Sequence, residues 1–378
     1  MAKLNVSKAP SHVQYLDGLR GIAILMVLAV HTYDHTSLQF AEPFFPSTPT
    51  WLRSGAYGVQ LFFILSAFTL LRSSDARTQE RFPTASFYLR RAFRILPLWW
   101  LAVFAYGLLN RNGFSYLLPN LFFYSGFIRF RPIEMILPQW SLFVEETFYL
   151  FLPLLLPLRL SVKRAGIFLI ALLVVQQLWS GLAPTSGVPA NYFFIDYFPL
   201  NQWFCFGIGF VWFALVRGQY FFTLVKKKQI PSSLLDALTL VFLVVLIPLN
   251  HVAAAFAFVP LVFTASVSQT LWGRFCRSRL LTAFGRSCYS IYLWQIAIFN
   301  LFAPFHTSIS QSLGLAQLSL ELQFLIAFPV FAAYSLAVGM LSWRFIERPL
   351  IEFGRRIIAK LNNSPNLFFG PSAATVER

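Results

Sequence analysis

The sequence predicts an all-α polytopic membrane protein, a bundle of about ten transmembrane helices with both termini in the cytoplasm. Of its 378 residues, 57% are hydrophobic and 12% are charged, about half the charged fraction of a soluble domain. The hydrophobic residues form runs of helix length separated by short polar or basic segments, which is the pattern of transmembrane helices. No long polar stretch between these runs is available to form a separate soluble domain.

Each predicted helix is an apolar run bounded by charged, proline-rich or turn-forming residues. The ten helices are expected at about residues 16–32, 55–71, 95–109, 140–158, 165–179, 198–216, 234–249, 252–272, 287–302 and 322–343. Residues 111–139 are also apolar, but Pro119, Gly126, Pro132 and Pro138 interrupt them. We interpret this segment as exterior or re-entrant, packed against the bundle; a further span is the alternative.

The charge distribution supports this topology. The net charge of +16 comes from 30 Lys and Arg against 14 Asp and Glu. In a soluble protein such a balance would indicate a nucleic-acid partner. Here only four of the 30 basic residues fall on the exterior side (Arg53, Arg111, Arg129 and Arg131). Positive residues favour the cytoplasmic side of a membrane, so the lipid bilayer accounts for the charge and no nucleic acid is expected.

Three regions follow from this topology. Residues 1–14 are a cytoplasmic lead, residues 15–345 the transmembrane domain, and residues 346–378 a basic and then disordered cytoplasmic tail. Cys205, Cys276 and Cys288 form no motif, so neither a disulfide framework nor a metal site is expected.

The first helix carries the strongest functional signal. Its uninterrupted apolar run, Gly21 to Val30, is shorter than the about 20 residues that a span requires, so Arg20 and His31 are expected at membrane depth. Ionisable groups there are costly and are candidates for function. Eleven residues correspond to about three turns, so the two side chains share one face, roughly 16 Å apart along the axis. Such a face fits the wall of a reaction cavity; an interfacial Arg and a backbone-bonded His are the structural alternative.

Six blocks of sequence, in order, resemble the acyltransferase-3 family of integral membrane O-acyltransferases that modify carbohydrates. The blocks are LDGLRGIAILMVLAVH with its R-x10-H spacing, GVQLFFILSAF, YLRRAFRILPLWW, WSLFVEETFYLFLPLL, GRSCYSIYLWQ and FIERPL. They span about residues 15–350. Two positions depart from the family pattern: Ala67 stands where Gly is frequent, and Gln295 where His is frequent. If that His assists catalysis in relatives, its role is absent or altered here.

The resemblance implies transfer of an acyl group, usually acetyl, from acetyl-CoA to a carbohydrate hydroxyl. Acyl-CoA would be a co-substrate, with no permanently bound cofactor and no metal. The acceptor would be a polysaccharide, a lipid-linked sugar or a small glycoside, and the expected location is the bacterial inner membrane. Neither the acceptor nor the oligomeric state is determined by the sequence.

His31 is the expected catalytic acid/base, because a sugar hydroxyl attacks well only when a base removes its proton. Glu145, on the fourth helix, is the second catalytic candidate; next to His31 it would orient the ring and stabilise its protonated form. The alternative for Glu145 is a buried ion pair with an arginine. Glu146 points about 100° away on the same helix and is interpreted as structural.

Arginines are the expected ligands of the CoA phosphates, which the planar guanidinium binds through paired hydrogen bonds. Arg91 and Arg94 share one helix face, and Arg20 lies on the His31 face near the cytoplasm. The alternative is ordinary positive-inside anchoring. Further supporting residues are Asp17, Arg90, Trp140, Ser141, Glu146 and Tyr149.

Two other functions fit intramembrane polar residues. A transporter or flippase of a glycan or glycolipid is the main alternative, although no inverted repeat of broken helices is visible. An inactive scaffold in a polysaccharide-synthesis complex is the other, and the combination of Arg20, His31 and Glu145 speaks against it.

Overall fold

The computed structural model describes residues 13–36, 49–109, 114–123, 139–181 and 195–363, and every regular element in these ranges is a helix. The α-helices are α1 (Gln14–Thr36), α2 (Thr50–Arg53), α3 (Gly58–Asp75), α4 (Pro83–Leu109), α5 (Phe114–Leu121), α6 (Gln139–Leu155), α7 (Val162–Gly181), α8 (Pro199–Gln202), α9 (Phe204–Arg217), α10 (Tyr220–Lys227), α11 (Ser232–Leu246), α12 (His251–Ser266), α13 (Leu271–Phe275), α14 (Arg279–Arg286), α15 (Cys288–Ser312), α16 (Leu320–Ser342) and α17 (Arg348–Asn363). Three 3-10 turns (Ser54–Tyr57, Leu156–Leu160 and Leu315–Gln317) and a π-helical turn (Trp343–Glu347) join some of them.

Each of the ten predicted helices corresponds to a helix of the structure, namely α1, α3, α4, α6, α7, α9, α11, α12, α15 and α16. Six helical segments of the described chain are long and apolar enough to cross a bilayer: Gln14–Asp34, Ser54–Asp75, Gln139–Leu160, Val162–Gly181, Pro199–Arg217 and Leu320–Asn363. Three further apolar helices, Ser232–Leu246, His251–Ser266 and Cys288–Phe302, are shorter. The protein is therefore a multi-pass integral membrane protein with an all-helical fold.

Several helix boundaries differ from the prediction. The third predicted helix begins at Pro83 rather than residue 95; proline suits a first helical position because its missing N–H has no partner there anyway. The eighth ends at Ser266 rather than 272, because the Thr270 side chain accepts a hydrogen bond from the Gly273 N–H and starts α13. The ninth continues to Ser312, beyond the predicted residue 302.

The segment predicted as exterior or re-entrant is described only in part. Its first half contains the short helix α5. The Trp99 and Trp100 indoles of α4 donate hydrogen bonds to the Asn120 and Leu121 carbonyls, which holds the end of α5 against α4. Residues 124–138 lie outside the described part of the chain, so the position of this segment relative to the membrane stays a prediction.

The predicted basic tail is an ordered helix in its first part. The π-helical turn Trp343–Glu347 carries the chain from α16 directly into α17, which packs against α4. A Cβ atom at Gly354 of α17 would lie 2.6 Å from the Phe93 side chain, so this contact is close. Residues 364–378, where disorder was predicted, lie outside the described residues.

Helix α1 lies at the centre of the bundle and packs against α3, α14, α15 and α16. Two glycines bring α1 and the α14 region unusually close. A Cβ atom at Gly18 would lie 1.8 Å from the Cys276 carbonyl oxygen, and one at Gly285 would lie 1.7 Å from the Asp17 carbonyl oxygen. Only glycine permits such backbone contact, and it fixes the start of α1, with Asp17 and Arg20, against the neighbouring helices.

Candidate functional site

A cavity of about 640 Å³ lies where α1, α3, α4, α6, α15 and α17 meet. It extends from the loop between α3 and α4 into the interior of the bundle, and we call it the arginine cavity. Its wall holds three carboxylates, Asp17, Glu80 and Glu145, and seven arginines: Arg20, Arg72, Arg77, Arg90, Arg91, Arg94 and Arg355. The excess of positive charge makes the cavity suited to an anionic ligand.

Two of these arginines share one carboxylate near the α3–α4 loop. The Arg90 Nη1 donates to both Glu80 oxygens, at 2.7 and 2.9 Å, and the Arg77 Nε lies 3.7 Å from Oε1. Arg77 also donates to the Ser73 carbonyl at 3.1 Å. Arg90, predicted as a supporting residue, is thus held by an ion pair at the outer part of the cavity.

Arg91 and Arg94 form no ion pair with any described residue. The Arg91 guanidinium lies over the Tyr149 ring, 5.7 Å from its centroid, and its buried Nε has no hydrogen-bond partner. Arg94, one turn further along α4, is attracted by the buried Glu347 carboxylate but makes no hydrogen bond or ion pair within the described part of the chain, and both residues line the cavity. Their N–H groups are therefore available to a bound anion.

A polar cluster beside Arg91 is built from α3 and α6. The Glu145 carboxylate accepts hydrogen bonds from the Ser66 and Tyr149 hydroxyls, which lie 2.6 Å from each other. Deeper in the cavity, the Ser141 and Tyr292 hydroxyls lie 2.7 Å apart. Hydroxyl and carboxylate groups in this arrangement can hold the amides of an elongated ligand and fix the position of Arg91.

His31 lies at a different level of the bundle from Glu145. Gly58 of α3 packs on Ala23 and Met26 of α1, and Gly55 packs on Met26 and Val30, so the two helices run antiparallel. Counting about 1.5 Å per residue along both helices, Ser66 and the Glu145 carboxylate bonded to it lie roughly 20–24 Å from His31 along the bundle. The predicted contact between Glu145 and His31 is therefore wrong: each helix has the expected residues, but their register separates them.

His31 itself is half-buried near the far end of α1, and its ring makes no hydrogen bond to a described residue. It is not among the described residues of the arginine cavity wall. The wall residue Val59 follows Gly58, which places His31 about two turns beyond it, roughly 10 Å.

The remaining predicted residues fall into two groups. Asp17, Arg20, Ser141 and Tyr149 line the cavity, and Asp17 accepts from Arg20 at 3.2 Å and lies 3.6 Å from the Arg286 Nε. Trp140 and Glu146 are not among the described wall residues. Trp140 packs against the Phe63 and Tyr197 rings, at 6.3 and 4.2 Å between centroids.

Several cavity residues were missed by sequence reasoning. Ser66 is a single serine within an apolar run, and a lone serine in such a run does not indicate a functional site. Glu80 appeared as one acidic residue in a basic loop, and Arg355 as one basic residue of the tail. Gln295, at the position where the family frequently has His, is buried, and its Oε1 has no partner in the described chain. No group of three His, Cys, Asp or Glu side chains in the described residues is arranged to hold a metal ion.

Comparison with known proteins gives one family and several relatives. The acyltransferase-3 family model, described as an acyltransferase domain, matches residues 13–344. BcsY of Komagataeibacter xylinus, whose name describes a membrane-bound transacylase, is 24% identical over 379 residues, covering 90% of this chain and 83% of BcsY. The O-acetyltransferase OatA of Staphylococcus aureus strain MRSA252 is 23% identical over 413 residues, and the match covers 97% of this chain but 62% of OatA. No solved structure matches the chain.

Proposed function

Because the chain belongs to the acyltransferase-3 family and is an acyltransferase, we propose that it transfers an acyl group, acetyl in the first place, from acyl-CoA to a hydroxyl of a cell-surface or exported carbohydrate. The observation that carries the proposal is the arginine cavity, in which Arg91 and Arg94 offer N–H groups that no described residue uses. A relative named O-acetyltransferase supports acetyl as the acyl group.

In this proposal, the cavity binds the donor. Arg91 and Arg94 hold the CoA phosphates through charge-assisted hydrogen bonds, with Arg20 further along the same cavity. The pantetheine arm extends past the Ser66–Glu145–Tyr149 cluster toward Ser141 and Tyr292. Glu145 acts as a positioning residue for Tyr149 and Arg91 rather than as the partner of His31.

His31 is the proposed acid/base. It removes the proton of the sugar hydroxyl while the hydroxyl oxygen attacks the thioester carbonyl. The carbon–sulfur bond then breaks, the acyl group stays on the sugar oxygen, and the leaving CoA sulfur takes up the proton. To reach His31 the thioester has to pass the deep wall at Val59 and Phe62, because His31 lies about two turns beyond it.

We further propose ten spanning helices with both termini in the cytoplasm of a bacterial inner membrane. The arginines of the cavity lie near the start of α1, the end of α3, the start of α4 and on α17, all at one end of the bundle. The positive-inside rule assigns that end to the cytoplasm, which is where acyl-CoA is available. The acceptor then approaches His31 from the opposite side.

The direct test is acyl transfer by the purified full chain in nanodiscs. With acetyl-CoA and a candidate polysaccharide or glycoside, we expect free CoA to appear together with a mass increase of one acetyl group on the glycan. Release of CoA should require the acceptor. Movement of a glycan or glycolipid across the bilayer with no acetyl-CoA consumed would identify a transporter or flippase instead.

A further inference from the structure

We propose that α17, which follows the residues matched by the family model, forms part of the donor site, and that Arg355 on it binds a phosphate at the nucleotide end of acyl-CoA. This inference rests on the proposed function, because the ligand of the cavity is taken to be acyl-CoA. The family match ends at residue 344, whereas α17 runs from Arg348 to Asn363.

One face of α17 is a wall of the arginine cavity. The residues that contribute are Ile351, Gly354, Arg355, Ile358, Ala359 and Asn362. Their spacing of three, four or one residues is that of a single helix face. Arg355 and the neighbouring Arg356 are both exposed, but only Arg355 is among the described wall residues.

The position of α17 is determined by contacts at both of its ends. At the C-terminal end of α17, the Asn362 side chain accepts a hydrogen bond from the Phe82 N–H at 3.1 Å and donates one to the Ser86 Oγ at 2.9 Å. At its start, the buried Glu347 accepts from the Ser290 Oγ at 2.8 Å. Between them, Gly354 rests on Phe93. These bonds to the α3–α4 loop, α4 and α15 make α17 a fixed wall rather than a loose tail.

The charges near α17 point to an anionic ligand at its middle. Arg355 makes no hydrogen bond or ion pair to a described residue, and it lies close enough to Arg77 for the two positive charges to repel each other. The Glu352 carboxylate, one turn earlier on α17, attracts Arg355 but is already hydrogen-bonded by Arg348. Glu80 is already engaged by Arg77 and Arg90. A phosphate group placed between Arg77 and Arg355 would relieve this repulsion and bind both side chains. Acyl-CoA carries such groups at its nucleotide end, as a diphosphate and a ribose phosphate.

The test compares two neighbouring arginines in the purified full chain. Arg355→Ala and Arg356→Ala remove the same charge from the same helix, but only Arg355 faces the cavity. We expect Arg355→Ala to raise the Kd for CoA about tenfold, in line with loss of one charge-assisted hydrogen bond. Arg356→Ala should leave the Kd within about twofold, and Arg355→Lys should restore part of the affinity by returning the charge.

Truncated ligands distinguish binding from a structural role. Pantetheine lacks the nucleotide and its phosphates. The inhibition constant of pantetheine, measured in competition with CoA, should therefore be the same in Arg355→Ala and in the wild type. Equal CoA affinities of Arg355→Ala and Arg356→Ala would overturn the assignment of Arg355 while leaving the proposed function in place. If Arg355→Ala no longer binds pantetheine, the assignment of Arg355 would also be overturned, because the substitution would then have disturbed the whole cavity. Absence of CoA binding by the wild-type protein would instead reject the donor, and the inference with it.

Discussion

Glu145 illustrates how the neighbours of a buried charge determine its role. Its carboxylate accepts from Ser66 and Tyr149, and the Tyr149 ring lies under the Arg91 guanidinium. A buried carboxylate that is hydrogen-bonded in this way stabilises the surrounding side chains. We therefore attribute to Glu145 the positioning of the donor-binding arginine, and to His31 the proton transfer.

Glu145→Gln should affect donor binding more than chemistry. We expect the KM for acetyl-CoA to rise about tenfold, a loss comparable to one hydrogen bond to a charged group, with kcat changed less than threefold. The pH dependence of kcat should stay as in the wild type. Thr147→Val is the matched control on the same helix, because the Thr147 hydroxyl bonds only to backbone carbonyls of α6 and the residue is not among the described wall residues. A large fall in kcat with a changed pH profile would instead show that Glu145 and His31 act as a pair.

His31→Ala should have the opposite effect. Loss of a general base typically costs 10²-fold or more in rate, so we expect kcat to fall by at least about 100-fold. The Kd for CoA should remain within about twofold, because His31 is not among the described residues of the cavity wall. Calorimetric binding and CoA-release assays on the same preparation separate the two effects. A kcat within threefold of the wild type would contradict the assignment of the base.

At the scale of helices, the close approach of α1 and α14 depends on glycine. The Gly285 Cα faces the Asp17 carbonyl so closely that an added methyl group would overlap it. Asp17 and Arg20 lie in the first two turns of α1, at this contact, and both line the cavity. The packing of two helices thus determines the position of cavity residues.

Gly285→Ala should destabilise the fold by about 1–3 kcal/mol, the usual cost of overpacking a rigid contact. Gly166→Ala on α7 is the matched control, because no atom lies within 4 Å of the position its Cβ would occupy. That variant should be neutral or more stable by up to about 1 kcal/mol, since alanine favours helix. Thermal unfolding of both variants in detergent measures the difference, and equal melting temperatures would contradict the close contact.

At the scale of the whole molecule, the cavity arginines lie at one end of the bundle and His31 near the other end of α1. In the proposed function, this asymmetry would let a charged donor and a sugar acceptor reach the interior from opposite sides of the membrane. It also makes the orientation of the bundle a functional property, since a reversed bundle would present the arginines to the exterior.

Orientation can be measured with single cysteines in a background whose three native cysteines are replaced. Lys228→Cys, between α10 and α11, should react with a membrane-impermeant thiol reagent only after the cells are opened. Gln311→Cys, at the end of α15, should react in intact cells, because both side chains are exposed at opposite ends of the proposed bundle. The reverse labelling pattern would place the arginine cavity outside the cytoplasm.

The sequence by itself determined the helical membrane fold, the order of the ten helices and the arginine-rich character of one side. These properties follow from hydropathy and charge along short stretches of chain, which are local quantities. The residues Arg20, Arg91, Arg94, Glu145 and Tyr149 were also predicted to belong to the site, and the structure places them along one cavity. Their roles in binding and catalysis remain predictions.

Only the tertiary structure decided which of these groups meet. The register of α3 against α1 separates Glu145 from His31, and the same packing joins Glu145 to Ser66, 79 residues away in the chain. The contact of Asn362 with Phe82, across 280 residues, turns a basic tail into a wall of the cavity. Such pairings depend on how side chains of distant helices fit together, and no pattern within one stretch of sequence carries that information.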